Sequence, residues 1–229
     1  MKKPVFYTEL AYIFGLVILA IGTALMERAD FGISMVVAPA YLLHLKISPV
    51  LPFFSFGVAV YTVQAVIILL IILIFRKVKL AYFFSFATAV LYGTLLDLVV
   101  WAFSWVPDQL AVRPGIYPVG MVLCCMGVAL LFRTYISPEA YEMFVKEVSA
   151  KTNAPIPRVK TLYDCTSCLI AVVMSFAFFG MWHFEGVKLG TVLCALINGA
   201  VIGLCTKLYD KLWVFEDRFK LRKFFDSAL

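Results

Sequence analysis

The chain has 229 residues, 63% of them hydrophobic and 15% charged, with a formal net charge of +6 and a mean hydropathy of +0.97. That is too little polar surface to cover a water-soluble globule, so much of the surface must face lipid. Lipid satisfies no backbone group, which leaves helix bundles and closed barrels, and long unbroken apolar runs select helices.

In chain order, uncharged runs at residues 10–26, 47–75, 80–96 (continuing past Asp97 to Pro107), 114–132, 165–182 and 189–206 predict six spans. Each is about long enough to cross roughly 30 Å of hydrocarbon at 1.5 Å per residue. The first run has no small-residue cleavage site and further spans follow it, so it reads as a retained helix rather than a removable signal. Residues 31–43 are too short for a span and suit a re-entrant or interfacial helix, with Ser34 as a candidate cap. Residues 138–151 form the same kind of segment after the fourth run. There Tyr141, Phe144, Val145 and Val148 share one face and the charges take the other.

With a cytoplasmic N-terminus, 16 of the 20 Lys and Arg fall on the inner side, against Arg28, Lys46, Arg113 and Lys188 outside. This bias predicts both termini in the cytoplasm, and it accounts for the basic balance by topology rather than by nucleic acid. The tail from Leu208 onward, with Leu212, Phe215 and Phe219 on one side, reads as a basic amphipathic helix on the inner leaflet.

Residues 15–28 read GLVILAIGTALMER and residues 120–133 read GMVLCCMGVALLFR, with identities at Gly15/Gly120, Val17/Val122, Gly22/Gly127, Ala24/Ala129, Leu25/Leu130 and Arg28/Arg133. The offset is 105, and an offset of 106 sets Leu91-Tyr92-Gly93-Thr94 against Ile197-Asn198-Gly199-Ala200. Three spans per copy would force the copies into opposite orientations, as in many secondary transporters with a site near the midplane. The expected fold is all-α, a polytopic membrane bundle of six transmembrane helices in two inverted three-helix repeats. Each repeat carries an interfacial or re-entrant helix after its first span. Residues 1–110 form the first repeat, 111–208 the second and 209–229 the tail.

Asp97 is a carboxylate within an apolar run, which suits a proton- or cation-coupling site, or an interfacial residue if the helix ends early. Asn198 beside Gly199, Gly93 one turn from Asp97, and Gln64 in the second run complete the candidate substrate or ion site, the amides serving equally as interhelical glue. Arg28 with Glu27, and Arg133 at the opposite face, are candidate mouth or gating residues, or headgroup anchors. Gly15, Gly22, Gly120, Gly127 and Gly190 are candidate helix-packing positions, and Gly203 reads likewise. Asp164 reads as an N-cap of the fifth span. Cys165 and Cys168 have CxxC spacing at the start of that span, but no second CxxC follows, and the two histidines, His44 and His183, fall on the other side, so no metal set or other cofactor is expected. No hydrolase, phosphate-loop or zinc-protease motif occurs, so an enzyme is not expected.

The runs GLVILAIGTAL, GMVLCCMGVALLF and LGTVLCALINGAVIGL resemble the YczE/YyaS/YitT group of bacterial membrane proteins over most of residues 15–204. The resemblance implies a six-span protein of the bacterial inner (plasma) membrane. It carries over Gly15, Gly22, Gly120 and Gly127 as packing positions and Gly190, Thr191 and Gly199 as the last-span motif. The expected function is a secondary transporter, coupled to protons or another cation, for a small polar or anionic organic solute. The alternative is a non-transporting accessory subunit that captures solute for a partner protein. The expected partners are the lipid bilayer and the solute, with no nucleic acid and with room for a homo-oligomer.

Overall fold

The computed structural model describes residues 3–104, 113–181, 185–219 and 222. His183 and the cations Lys2, Lys220 and Lys223 lie outside the described residues. Strand β1 (Val5–Tyr7) leads into α1 (Thr8–Ala29), followed by α2 (Ala38–Ile47), α3 (Phe56–Phe75), α4 (Leu80–Ala102), α5 (Arg113–Leu131), α6 (Ala140–Thr152), α7 (Ile156–Phe179), α8 (Leu189–Leu212) and β2 (Val214–Glu216). Helices α1, α3, α4, α5, α7 and α8 are long and apolar enough to cross a membrane, and the protein is a multi-pass membrane protein. Helices α2 and α6 have 10 and 13 residues, about 15–20 Å of rise, which is short of a crossing.

The centre of the bundle is the α1–α5 pair. Gly15 and Gly22, like Gly120 and Gly127, are seven residues apart, close to two full turns, so each pair lies on one face. A methyl group at Gly22 would sit 2.7 Å from the Gly120 carbonyl oxygen, and one at Gly127 would sit 2.8 Å from the Gly15 carbonyl oxygen. Pairing 15 with 127 and 22 with 120 makes the helices antiparallel, with backbones in contact where a side chain would part them. Arg28 and Arg133, at corresponding helix ends, therefore lie at opposite ends of the bundle.

The outer helices flank this seam, α4 against α1 and α8 against α5. Helix α4 packs on α3 and α8 on α7, while α2 lies against α3 and α7, and α6 against α7 and α3. Each short helix is thus wedged between α3 and α7. Its entry backbone would be unsatisfied in lipid, and side chains of the long helices supply the missing bonds. Gln64 Oε1 accepts from Ala140 N at 2.8 Å, and Ser167 Oγ donates to the Met35 carbonyl at 2.7 Å. Ser85 and Thr88 donate to the carbonyls of Pro138 and Ser137. Residues 35 and 140 stand at the offset of 105 seen in the sequence, the first held from α7 and the second from α3.

Several element boundaries differ from the sequence reading. The run at 47–75 divides. Pro49 and Pro52 interrupt it, and α3 begins only at Phe56 under the N-cap Ser55, whose hydroxyl accepts from Val58 N. Helix α7 begins at Ile156, after the N-cap Pro155, so Asp164 is not a cap but lies more than two turns inside the helix. Cys165 and Cys168 are likewise interior, away from the helix start and its dipole, and all six cysteines are free. Ser34 contributes to the start of α2 through its backbone carbonyl, which accepts from Val37 N and Ala38 N, and not through its hydroxyl. The tail does not begin a helix at Leu208. Helix α8 runs to Leu212, and Val214–Glu216 then pair in parallel with Val5–Tyr7, bringing the two ends of the described chain to one face of the bundle.

Candidate functional site

Asp97 follows Gly93 by one turn of α4, so both face α3. Gly93 meets Gly57, with a methyl at Gly93 only 2.7 Å from the Gly57 carbonyl oxygen. That approach delivers the Asp97 carboxylate to the first turn of α3, where Oδ1 accepts from Gly57 N at 2.7 Å and Oδ2 from Ser55 Oγ at 2.5 Å. An anion on orphan amides at a helix N-terminus is well compensated. The helix does not end early, since α4 continues to Ala102.

The structure does not bring Asp97 to Asn198. Asn198 instead lines a cavity of about 30 Å³ that Asp97 does not reach. The walls are Leu19 and Thr23 of α1, Cys124 and Val128 of α5, the entries to α2 and α6, Tyr92 of α4, Asn198 of α8 and Lys160 of α7. Twelve of the thirteen wall residues pair at the repeat offset. Leu19 with Cys124, Thr23 with Val128 and Ser34 with Glu139 are each 105 apart. So are Val36 with Tyr141 and Val37 with Glu142, while Tyr92 and Asn198 are 106 apart. The cavity therefore sits where residues 105 or 106 positions apart in the sequence face one another.

The charged residues of its wall, Glu139, Glu142 and Lys160, all come from the entry to α6 and from α7. Glu139, Glu142, Lys160, Asp164 and Asn198 are each at most 5% exposed. Lys160 Nζ lies 2.9 Å from Asp164 Oδ1, one turn along α7, and 3.5 Å from Glu142 Oε1. Glu139 Oε2 accepts from Gln64 Nε2 at 2.6 Å, and Oε1 has no hydrogen-bond partner. The Tyr141 hydroxyl, also buried, has none either. Burial first, and the neighbouring Glu142 second, push the Glu139 carboxyl well above the usual carboxylate range, against the weaker pull of Gln64 and Lys160. Asn198 Oδ1 accepts from the Cys125 thiol at 2.8 Å, and Tyr92 and Thr23 share a hydrogen bond at 2.8 Å. A space of this size holds about two waters or one small cationic group, in a wall with two carboxyls and a single ammonium that is also paired to Asp164.

A family model matches residues 6–207, which include every residue of the cavity wall. The chain belongs to DUF6198, a family of unknown function. No curated protein and no solved structure matches it.

The remaining predicted site residues fall around this centre. Gln64, fully buried, ties α3 to the start of α6 and steadies the Glu139 carboxylate. Gly199 faces only Thr161, with 3.3 Å from a methyl to its hydroxyl, and a methyl at Gly203 would meet nothing within 4 Å, so Gly203 is not a packing position. Gly190 is one, since its N–H donates to the Phe31 carbonyl at 3.0 Å and a methyl there would press on that oxygen and on Tyr117. Arg28 donates to the carbonyls of Phe103 and Ser104, joining the ends of α1 and α4. Arg133 pairs with Asp210, joining the ends of α5 and α8. Ser104 and Asp210 are again 106 apart. Glu27 hydrogen-bonds the Tyr41 hydroxyl. Among the described residues no group of three His, Cys, Asp or Glu is placed to hold a metal ion.

The sequence reading missed Glu139, Glu142 and Lys160. An alignment at the offset of 105 exposes them, because Ser34, Val37 and Ser55 stand opposite Glu139, Glu142 and Lys160.

Proposed function

We infer that this protein is a secondary transporter built from two inverted three-helix repeats, coupled to protons through Glu139. The observation that carries this reading is the cavity where the repeats meet, with an unpartnered buried carboxylate oxygen in its wall. A site at the repeat interface, reached by the N-termini of two short helices, is the arrangement that lets one half rock against the other around bound solute. Glu139 is the N-cap residue of α6 and faces the entry to α2, so movement of either short helix changes its surroundings and its hold on a proton. The seam of α1 and α5 is the rocking axis. The ties of Arg28 to Ser104 and of Arg133 to Asp210 act as latches at opposite mouths. The excess of carboxyls favours a proton or cationic species in the cavity, and an anionic solute would bind only with Glu139 and its neighbours neutralised. The cation bias of the loops supports cytoplasmic termini, and the glycine-rich runs support kinship with the YczE/YyaS/YitT group and, through it, a bacterial inner membrane.

A pH jump applied to the protein reconstituted on a solid-supported membrane tests the coupling. The expected result is a transient current that titrates with pH, is abolished in Glu139→Gln and persists in Asp97→Asn, which alters only a helix cap. An unchanged transient in Glu139→Gln would overturn the proposal.

A further inference from the structure

Behind the polar cavity lies a second space of quite different character. A groove of about 670 Å³ runs between α3 and α7, floored by α2 and α6. Its volume is in the range of small-molecule sites, roughly 300–1,000 Å³. Its outer lip is formed by Val66 and Leu70 of α3 and Leu162 and Ile170 of α7, which are 47–70% exposed on the face that meets lipid. Its inner wall is Val36 and Tyr141, and these same two residues also line the polar cavity. One layer of side chains, a pair related by the repeat offset, thus separates an apolar groove open to the bilayer from a buried acidic cavity.

The two spaces together describe an amphipathic ligand. Lys160 already engages Glu142 and Asp164, whereas Glu139 is held only by the neutral Gln64 on one oxygen. The other oxygen, Oε1, and the Tyr141 hydroxyl are unpartnered and almost fully buried. What the cavity lacks is a donor, preferably a charged one, since a charge-assisted bond to a buried carboxylate is about twice as strong as a neutral one. About 30 Å³ accommodates a primary ammonium, comparable to a water, and excludes a trimethylammonium.

We propose that the solute is a single-chain amphipathic primary ammonium, which enters from the bilayer with its tail in the α3–α7 groove and its head on Glu139 Oε1. Val36 and Tyr141 part to admit it. The inference rests on Glu139 as the coupling carboxyl, because head and proton compete for the same oxygen and each cation bound expels the proton. Exchange of one for the other across the membrane follows without any further site. The titratable groups facing Glu139 are Glu142 and Tyr141 of α6, Lys160 of α7, Tyr92 of α4, Tyr12 of α1 and Cys124 of α5.

Binding of radiolabelled dodecylammonium to the full chain in lipid nanodiscs, with partition into empty nanodiscs subtracted, tests the proposal. The expected result is saturable binding with release of a proton, weakened about tenfold or more in Glu139→Gln by loss of the charge-assisted bond. Ile170→Trp and, from the facing helix, Val66→Trp fill the groove at lipid-exposed positions where folding tolerates bulk, and both are expected to weaken binding similarly. Methylammonium, without a tail, and dodecyltrimethylammonium, with too large a head, are expected to compete poorly. Binding no greater than in empty nanodiscs, binding unchanged in both tryptophan variants, or effective competition by methylammonium would overturn the proposal. If dodecylammonium does not bind while the pH-jump current still depends on Glu139, the solute class falls and the proton coupling stands. A current indifferent to Glu139→Gln removes the coupling itself.

Discussion

Lys160→Met is expected to destabilise the folded protein by about 3–5 kcal/mol, the loss found when one partner of a buried ion pair is removed. The Lys160 ammonium lies between Asp164 Oδ1 and Glu142 Oε1, and all three side chains are at most 5% exposed. Methionine keeps the stem and its packing but leaves two buried carboxylates facing each other without a counter-charge. Thermal unfolding in detergent measures the effect, and the double variant Lys160→Met/Asp164→Asn is expected to recover part of the loss because it also removes one of the stranded charges. A single variant within about 0.5 kcal/mol of wild type, the range of an ordinary surface change, would mean that the three groups do not act as one cluster.

Gly22→Leu is expected to be nearly as damaging, for a different reason. Even a methyl at this position would meet the Gly120 carbonyl oxygen at 2.7 Å and Cys124 N at the same distance, and both are backbone atoms of α5 that cannot swing aside. The helices must separate, at no less than the roughly 1–3 kcal/mol typical of over-packing. The matched control is Gly203→Ala in α8, where nothing lies within 4 Å of the added methyl and the gain in helix preference is roughly 0.5–1 kcal/mol. Opposite signs for these two substitutions in a heat-inactivation assay would confirm the seam. Equal tolerance of both would contradict it.

Much of the architecture is legible in the sequence because lipid imposes a simple rule on it. Apolar runs of sufficient length become spans, and each of the six has at least one end within three residues of the expected place. The glycine pairs at a spacing of seven, repeated 105 residues later, announce a close helix contact that the structure places between α1 and α5. The candidate site is much less legible. Residues 138–151 have the periodicity of a surface helix with its charges in water, and nothing local reveals that α6 is inserted between α3 and α7, which turns Glu142 inward. The beginning of α7 is hidden for a related reason. Arg158, Lys160 and Asp164 look like an interfacial segment, but Lys160 and Asp164 one turn apart neutralise each other and allow the helix to continue through buried surroundings. Asp97 shows the opposite limit, a residue visible in the sequence whose partner is not. A lone acid in an apolar run suggests coupling chemistry, and the partner that explains it, the N-terminus of α3, becomes visible only when Gly93 is seen against Gly57.

The most direct measurement is an infrared titration of the protonated-carboxyl C=O stretch in the reconstituted protein. Burial and Glu142 raise the Glu139 carboxyl, so the folded state keeps a proton that the unfolded chain releases. Its contribution to stability is present in full below the ordinary carboxylate range and is lost as pH rises through the folded-state value. The expected result is a protonated-carboxyl band that survives above the ordinary carboxylate range, fades on further alkalinisation, is missing in Glu139→Gln and is retained in Asp97→Asn. Identical titrating bands in the wild type and Glu139→Gln would contradict a proton-binding carboxyl at the meeting point of the two halves.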